Sequence, residues 1–156
     1  MKTQTIISEL THDDLVNLFS TSLYGSSYLS SNYEDDVKVD KNDDDCYEDV
    51  LAKILLNGGK VKITDYYAEG CDYGNLPYEM DEDDNITYDV TLEDIKKGLA
   101  QAANGTFNSQ SEDFVEDERR FARKAFDSFL SEACDFDLTY ADCLMQIILF
   151  NEIIYG

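Results

Sequence analysis

The chain has one histidine, one proline, four cysteines and twelve basic residues among 156. One imidazole cannot build a multi-histidine zinc site. A Cys/His nucleophile would need a thiol beside His12, and nothing in the linear order puts one there; His12 is expected as an exposed residue of a first helical turn. GxxxxGK(S/T), GxGxxG, GxSxG and HExxH are all missing, which removes the common phosphate-, dinucleotide-, serine-hydrolase and zinc-protease signatures. Cys46, Cys71, Cys134 and Cys143 form no CxxC pair, and the last two adjoin apolar helical sequence. Free, buried thiols in a reducing cytoplasm are expected. The N-terminal "MKTQTIISEL" has no apolar h-region of a secretion signal. The run "CLMQIILFNEIIYG" is too short to span a bilayer and contains Gln146 and Glu152.

The scarcity of bases sets the charge. Thirty-four acids against twelve bases give −22, far from the near-neutral balance of ordinary domains. Self-repulsion on that scale costs stability. Nucleic acid and anionic membrane are poor partners, both being negative; a basic protein surface is the complement. Apolar residues still make up 43% of the chain, in groups, so a folded domain with acidic loops fits better than a disordered acidic tail.

Helix signals recur. "THDDLVNLF", "TLEDIKKGL" and "TYADCLMQI" each place Asp three residues after Thr, so Thr11, Thr91 and Thr139 are expected N-caps with Asp14, Asp94 and Asp142 reaching back. Gly25, Gly105 and Gly156 lie where helix ends are expected. "DDDCYEDVLAKILLNGG" puts Tyr47, Val50, Leu51, Ile54 and Leu55 on one face, with Asp43 to Asp45 at its start and Asn57-Gly58-Gly59 at its end. "SEDFVEDERRFARKAFDSFLSEAC" reads as about six turns from Ser111, with Phe114, Phe121, Ala125, Phe129 and Ala133 on one side. Its Arg119, Arg120, Arg123 and Lys124 are expected to pair locally, Glu116 with Arg120 and Arg123 with Asp127. The last helix is apolar nearly all round, from Leu144 to Ile154, and is therefore expected to be central. Two alternating runs, "KVKITDYY" and "NITYDV", read as an antiparallel ribbon joined by an acidic loop that holds Asn75 and Pro77. Val61, Ile63, Asp65 and Tyr67 share one face, with Lys60 and Lys62 on the other, and Tyr67 and Tyr88 are the tyrosines most suited to the core. The expected fold is one α+β domain over 1–156: about five helices around an apolar C-terminal helix, with a small antiparallel β-ribbon.

Metal and hydrolytic sites are weakly supported. "DKNDDDCYEDVL" offers Asp40, Asn42 and Asp44 at positions one, three and five of a calcium loop, but Asp45 stands where glycine is needed and Leu51 where glutamate is needed. No pair of carboxylates stands out for hydrolysis. No cofactor is expected.

The acids are concentrated. Residues 31–50 carry a net −7 and residues 65–94 a net −11. The segment "DYYAEGCDYGNLPYEMDEDDNITYDV" holds five tyrosines and no Lys, Arg or His. A compact domain of this length is about 40 Å across, and duplex DNA carries about 22 to 24 charges over that length. The chain matches that charge, and tyrosines add rigid contact area with a polar tip. Glu34, Asp35, Asp36, Asp72, Tyr73, Tyr78, Glu79, Asp81, Glu82, Asp83 and Asp84 are the expected partner-binding residues. The expected partner is a basic nucleic-acid-binding protein, with no direct nucleic acid and no membrane. An acidic adaptor for a basic protein, or a cation-binding protein, would use the same surface.

Small, very acidic single domains without enzyme motifs resemble the proteins that phages and mobile elements use against bacterial defences, such as anti-CRISPR and anti-restriction proteins. "ADCLMQIILFNEIIYG" and "TLEDIKKGL" are similar to segments of uncharacterised phage and mobile-element proteins. The resemblance implies a DNA-mimicking inhibitor in the host cytoplasm, with Cas9 as the first candidate target and a restriction enzyme as the second. Such inhibitors share no common motif, so no residue role is carried over.

Overall fold

A computed structural model describes residues 7–24, 26–34, 39–42, 44–74, 76–109, 111–131 and 136–155. Gly25, Asp35, Asp36, Asp43, Asn75, Ala133, Cys134 and Gly156, all named above, lie outside them. The described residues build an α+β fold of five helices and a four-stranded antiparallel sheet.

Two of the three expected Thr caps form. In α1 (His12–Leu23) the Thr11 hydroxyl accepts from the Asp14 N–H, and the Asp14 carboxylate accepts from the Thr11 N–H. In α3 (Leu92–Asn104) Thr91 and Asp94 do the same, and Gly105 closes the helix at φ 66°. The third does not. α5 (Leu138–Phe150) starts two residues earlier than expected, on Asp137, whose carboxylate accepts from the Tyr140 N–H. Aspartate caps better than threonine, and Asp142 is taken elsewhere, as shown below. α2 (Tyr47–Leu56) starts at Cys46, where Asp49 accepts from the Cys46 N–H at 3.0 Å.

α4 (Val115–Leu130) is shorter than expected, and its buried face is Ala122, Ala125, Phe126 and Phe129. Phe114 sits before the first turn and is 61% exposed, so it is not a core residue. Glu116 pairs with Arg119 at 2.8 Å, not with Arg120, which reaches Asp117; Arg123 pairs with Asp127 as expected. α5 is central: Leu144, Met145, Ile147, Ile148, Leu149 and Phe150 are all buried, and the helix packs against α1, α3 and α4. It stops at Asn151, which adopts φ 56°, a left-handed conformation asparagine tolerates. Ile153 and Ile154 therefore lie in a return segment, half-buried, not in the helix.

The expected ribbon is the centre of a wider sheet. β2 (Lys60–Asp65) pairs with β4 (Ile86–Thr91) in the register Val61↔Val90, Ile63↔Tyr88 and Asp65↔Ile86. β1 (Leu29–Asn32) flanks β2 and β3 (Tyr78–Met80) flanks β4, giving the order β1-β2-β4-β3. "LSSN" and "YEM" are too short to show alternation, so both edges escape a periodicity search. The inner face buries Leu29, Val61, Ile63, Ile86, Tyr88 and Val90 under the helices. β2 ends at Asp65, so Tyr67 falls beyond the strand and is 51% exposed, against expectation. Cys46 and Cys71 are exposed as well; of the described thiols only Cys143 is buried.

Candidate partner-binding site

The acidic segment forms a hairpin at one edge of the sheet. β3 is exposed along its length, and residues 81–85 turn it into β4. The turn is built by Asp81, whose carboxylate accepts from the Asp83 N–H, the Asn85 N–H and the Asn85 side-chain amide. These donors hold the Asp81 carboxyl below the usual carboxylate range. Asp84 completes the turn at φ 63°, and its carbonyl accepts from the Gly70 N–H at 2.8 Å, so the preceding loop packs on the hairpin. Asp81 thus serves the turn itself. Glu79, Glu82, Asp83 and Asp84 are exposed, and among the described residues none of them has a cationic partner.

Asp72, Tyr73 and Tyr78 group around Tyr88 and Phe150. Tyr78 stands opposite Tyr88 across β3 and β4. Tyr88 meets Phe150, and Phe150 meets Tyr73, which also meets Tyr155. Tyr155 continues to Tyr28, on which Tyr67 stacks at 5.4 Å. One aromatic row therefore runs from the hairpin edge, through Phe150 at the end of α5, to Tyr28 and Tyr67 at the β1–β2 side of the sheet. Among the described residues the buried Tyr88 hydroxyl has no close hydrogen-bond partner, and burial followed by the Asp72 and Asp65 charges raises its pKa.

Glu34 is not with this group. It follows β1, at the opposite edge of the sheet, and reaches Lys62 at 3.3 Å. Three strand spacings separate the two edges, about 14 Å. Lys62 and Lys60 also pair with Asp89, at 3.0 and 3.4 Å, so the outer sheet face is nearly charge-balanced. The expected residues thus divide: Asp72, Tyr73, Tyr78, Glu79 and Asp81 to Asp84 gather at the hairpin edge, while Glu34 belongs to a paired lysine. Asp35 and Asp36 are outside the described residues.

A second cluster was not foreseen. Asp65 is fully buried, accepting from the Tyr155 hydroxyl at 2.7 Å and the Tyr67 N–H at 2.9 Å. Asp142 accepts from the Tyr28 hydroxyl at 2.5 Å and the Gln146 amide at 2.7 Å. Desolvation raises the pKa of Asp65, and that of Tyr28 and Tyr155, where adjacent carboxylates add to it. Among the described residues no Lys or Arg pairs with either aspartate. The sequence signals were weak: one polar residue, Gln146, in an apolar helix, and one acid, Asp65, on the apolar face of a strand.

His12 and Cys46 do meet, through one carboxylate. Asp49 Oδ1 lies 2.8 Å from His12 Nε2, and Asp49 Oδ2 accepts from the Cys46 thiol at 3.1 Å. His12 is half-buried, not exposed as expected. The order is wrong for a nucleophile, because the carboxylate and not the imidazole faces the thiol; Asp49 raises the Cys46 pKa. Asp45, at the calcium-like segment, is bound by Lys53 at 2.5 Å, and the same ammonium donates to the Asp40 carbonyl. Among the described residues no three His, Cys, Asp or Glu converge to hold a metal ion, and no helix is long and apolar enough to cross a membrane. The chain matches no protein-family model, no curated protein and no solved structure.

Proposed function

We propose that the protein is a non-enzymatic inhibitor of a bacterial defence nuclease, either a CRISPR-associated or a restriction enzyme. It would act in the host cytoplasm by placing carboxylates where the target holds nucleic acid. The observation that carries this reading is the hairpin edge: Glu79 on the outer face of β3 and Glu82, Asp83 and Asp84 in the turn are exposed, and among the described residues none of them has a cationic partner. Net charge −22 supplies long-range attraction to a basic groove. Each exposed carboxylate can accept from Lys, or bidentately from Arg. Asp81 and the backbone bonds of the turn fix the spacing, so little ordering entropy is lost on binding.

The test is capture from lysate of a bacterial host, followed by competition on the captured protein with duplex DNA and with guide RNA. A Glu79→Lys, Glu82→Lys, Asp83→Lys variant, which spares the turn-building Asp81, is run beside the wild type. Mutual exclusion between protein and nucleic acid, lost in the variant, supports the reading. A captured protein with no affinity for nucleic acid overturns it in favour of an acidic adaptor.

A further inference from the structure

Between the start of α5, the end of β2 and the segment entering β1 lies a cleft of about 310 Å³. That is within the usual size for a small ligand group. The cleft is lined by Tyr28, Tyr67 and Tyr155, by Asp142, and by Ser27 and Leu138. Asp65 lies directly behind, bonded to Tyr155 and to the Tyr67 backbone. The cleft is thus an aromatic recess lined by one carboxylate, with a second behind it and no base among its described lining residues. A protein that only needed to fill this space would use apolar side chains there, since unpaired buried charge is costly.

We propose that this cleft is a socket for a guanidinium group, supplied by an arginine side chain of the basic partner; this rests on the reading above that such a partner exists. Three features select the group. Tyrosine faces attract a cation. Asp142 has accepted one hydrogen bond on each oxygen and retains lone pairs for a donor fork. A planar, weakly hydrated guanidinium loses less on entering an aromatic recess than a compact, strongly hydrated ammonium. The walls are held in place: Gln146 accepts from the Ile154 and Tyr155 N–H groups and donates to Asp142 and the Tyr155 carbonyl, fixing the tail that carries one ring. The buried rings of Phe150 and Tyr88 connect the socket's Tyr155 to the hairpin edge through the core.

The test is titration of the free protein with N-ethylguanidinium chloride, read by NMR shifts of backbone amides and tyrosine rings. Butylammonium chloride and sodium chloride at matched ionic strength are the controls. Saturable shifts are expected at residues 26–28, 67, 139–142 and 155, stronger for guanidinium than for ammonium and lacking with sodium. Tyr67→Ala, an exposed ring whose loss spares the core, should weaken binding about three- to thirty-fold; Asp142→Asn should weaken it further. Shifts that do not saturate, that spread over residues 79–84, or that persist unchanged in folded Tyr67→Ala would overturn the socket. Saturable guanidinium binding in a protein that captures no basic partner would leave the socket and remove the inhibitor reading. A captured nuclease whose binding resists both N-ethylguanidinium competition and Tyr67→Ala would do the reverse.

Discussion

Asp49 and Asp65 carry opposite consequences for stability against pH. The His12 ring, then the Cys46 groups, hold the Asp49 carboxyl down to about 2. Its folded pKa is below the unfolded value of about 3.9, so its contribution is present above that value and is lost as pH falls toward 2. Asp65 is the reverse. Burial raises its folded pKa, so its favourable contribution belongs to low pH and fades as pH rises through the folded value. Thermal unfolding of Asp65→Asn should therefore improve relative to wild type between pH 4 and 7, whatever the offset from altered hydrogen bonds. A difference that is flat, or falls with pH, would show that Asp65 is not desolvated as described. Thiol chemistry offers a second check at this scale. Burial pushes the Cys143 thiol up to about 12, and it should react with a thiol reagent only on unfolding. Cys71 is exposed and should react in the native protein, with Cys46 slowed by its bond to Asp49.

Helix α3 approaches α5 at Gly98, where an added methyl would lie 2.5 Å from the Ile148 side chain and 2.6 Å from its Cα. Backbone must move to relieve that. Gly98→Ala should then destabilise toward the upper end of about 1–3 kcal/mol, more than the gain of about 1 kcal/mol in helix propensity. An unchanged or raised denaturation midpoint would contradict this packing. The hairpin makes a separate prediction. Asp81→Ala removes the acceptor for three donors and should lower the melting temperature, whereas Glu82→Ala, one residue on, should not. Equal effects would mean that Asp81 does not build the turn. Legibility also differed among elements. Thr11, Thr91 and the alternation of β2 and β4 showed in the sequence because a cap and a pleat are local. The start of α5 did not, because Asp137 and Thr139 both could cap. The choice lay with Tyr28 and Gln146, which occupy Asp142 from 114 and 4 residues away.

The whole molecule is dominated by its charge. Screening lowers self-repulsion, so the free protein should melt at a higher temperature as sodium chloride rises from about 0.05 to 0.5 M. Over the same range any complex with a basic partner should weaken strongly. Salt-independent binding would point to an apolar interface and away from the hairpin acids. Ile148, buried in the central helix, reports on the core: Ile148→Asp should not fold, because a carboxylate would be buried without a partner.

Composition, helix caps and apolar periodicity by themselves determined the α+β class, a central last helix and a β2–β4 ribbon. Each depends on neighbours in the chain or on sums over it. The tertiary structure decided how the acids are used. It gave Glu34 to Lys62, Asp81 to a turn and Asp49 to His12, and among the described residues it left Glu79, Glu82 and Asp83 without cations. It also brought Asp65 and Tyr155, 90 residues apart, into one hydrogen bond. A carboxylate reads the same in sequence whether it is paired, buried or exposed. Only the position of its neighbours in space, set by the packing of α5 against the sheet and the other helices, separates those states.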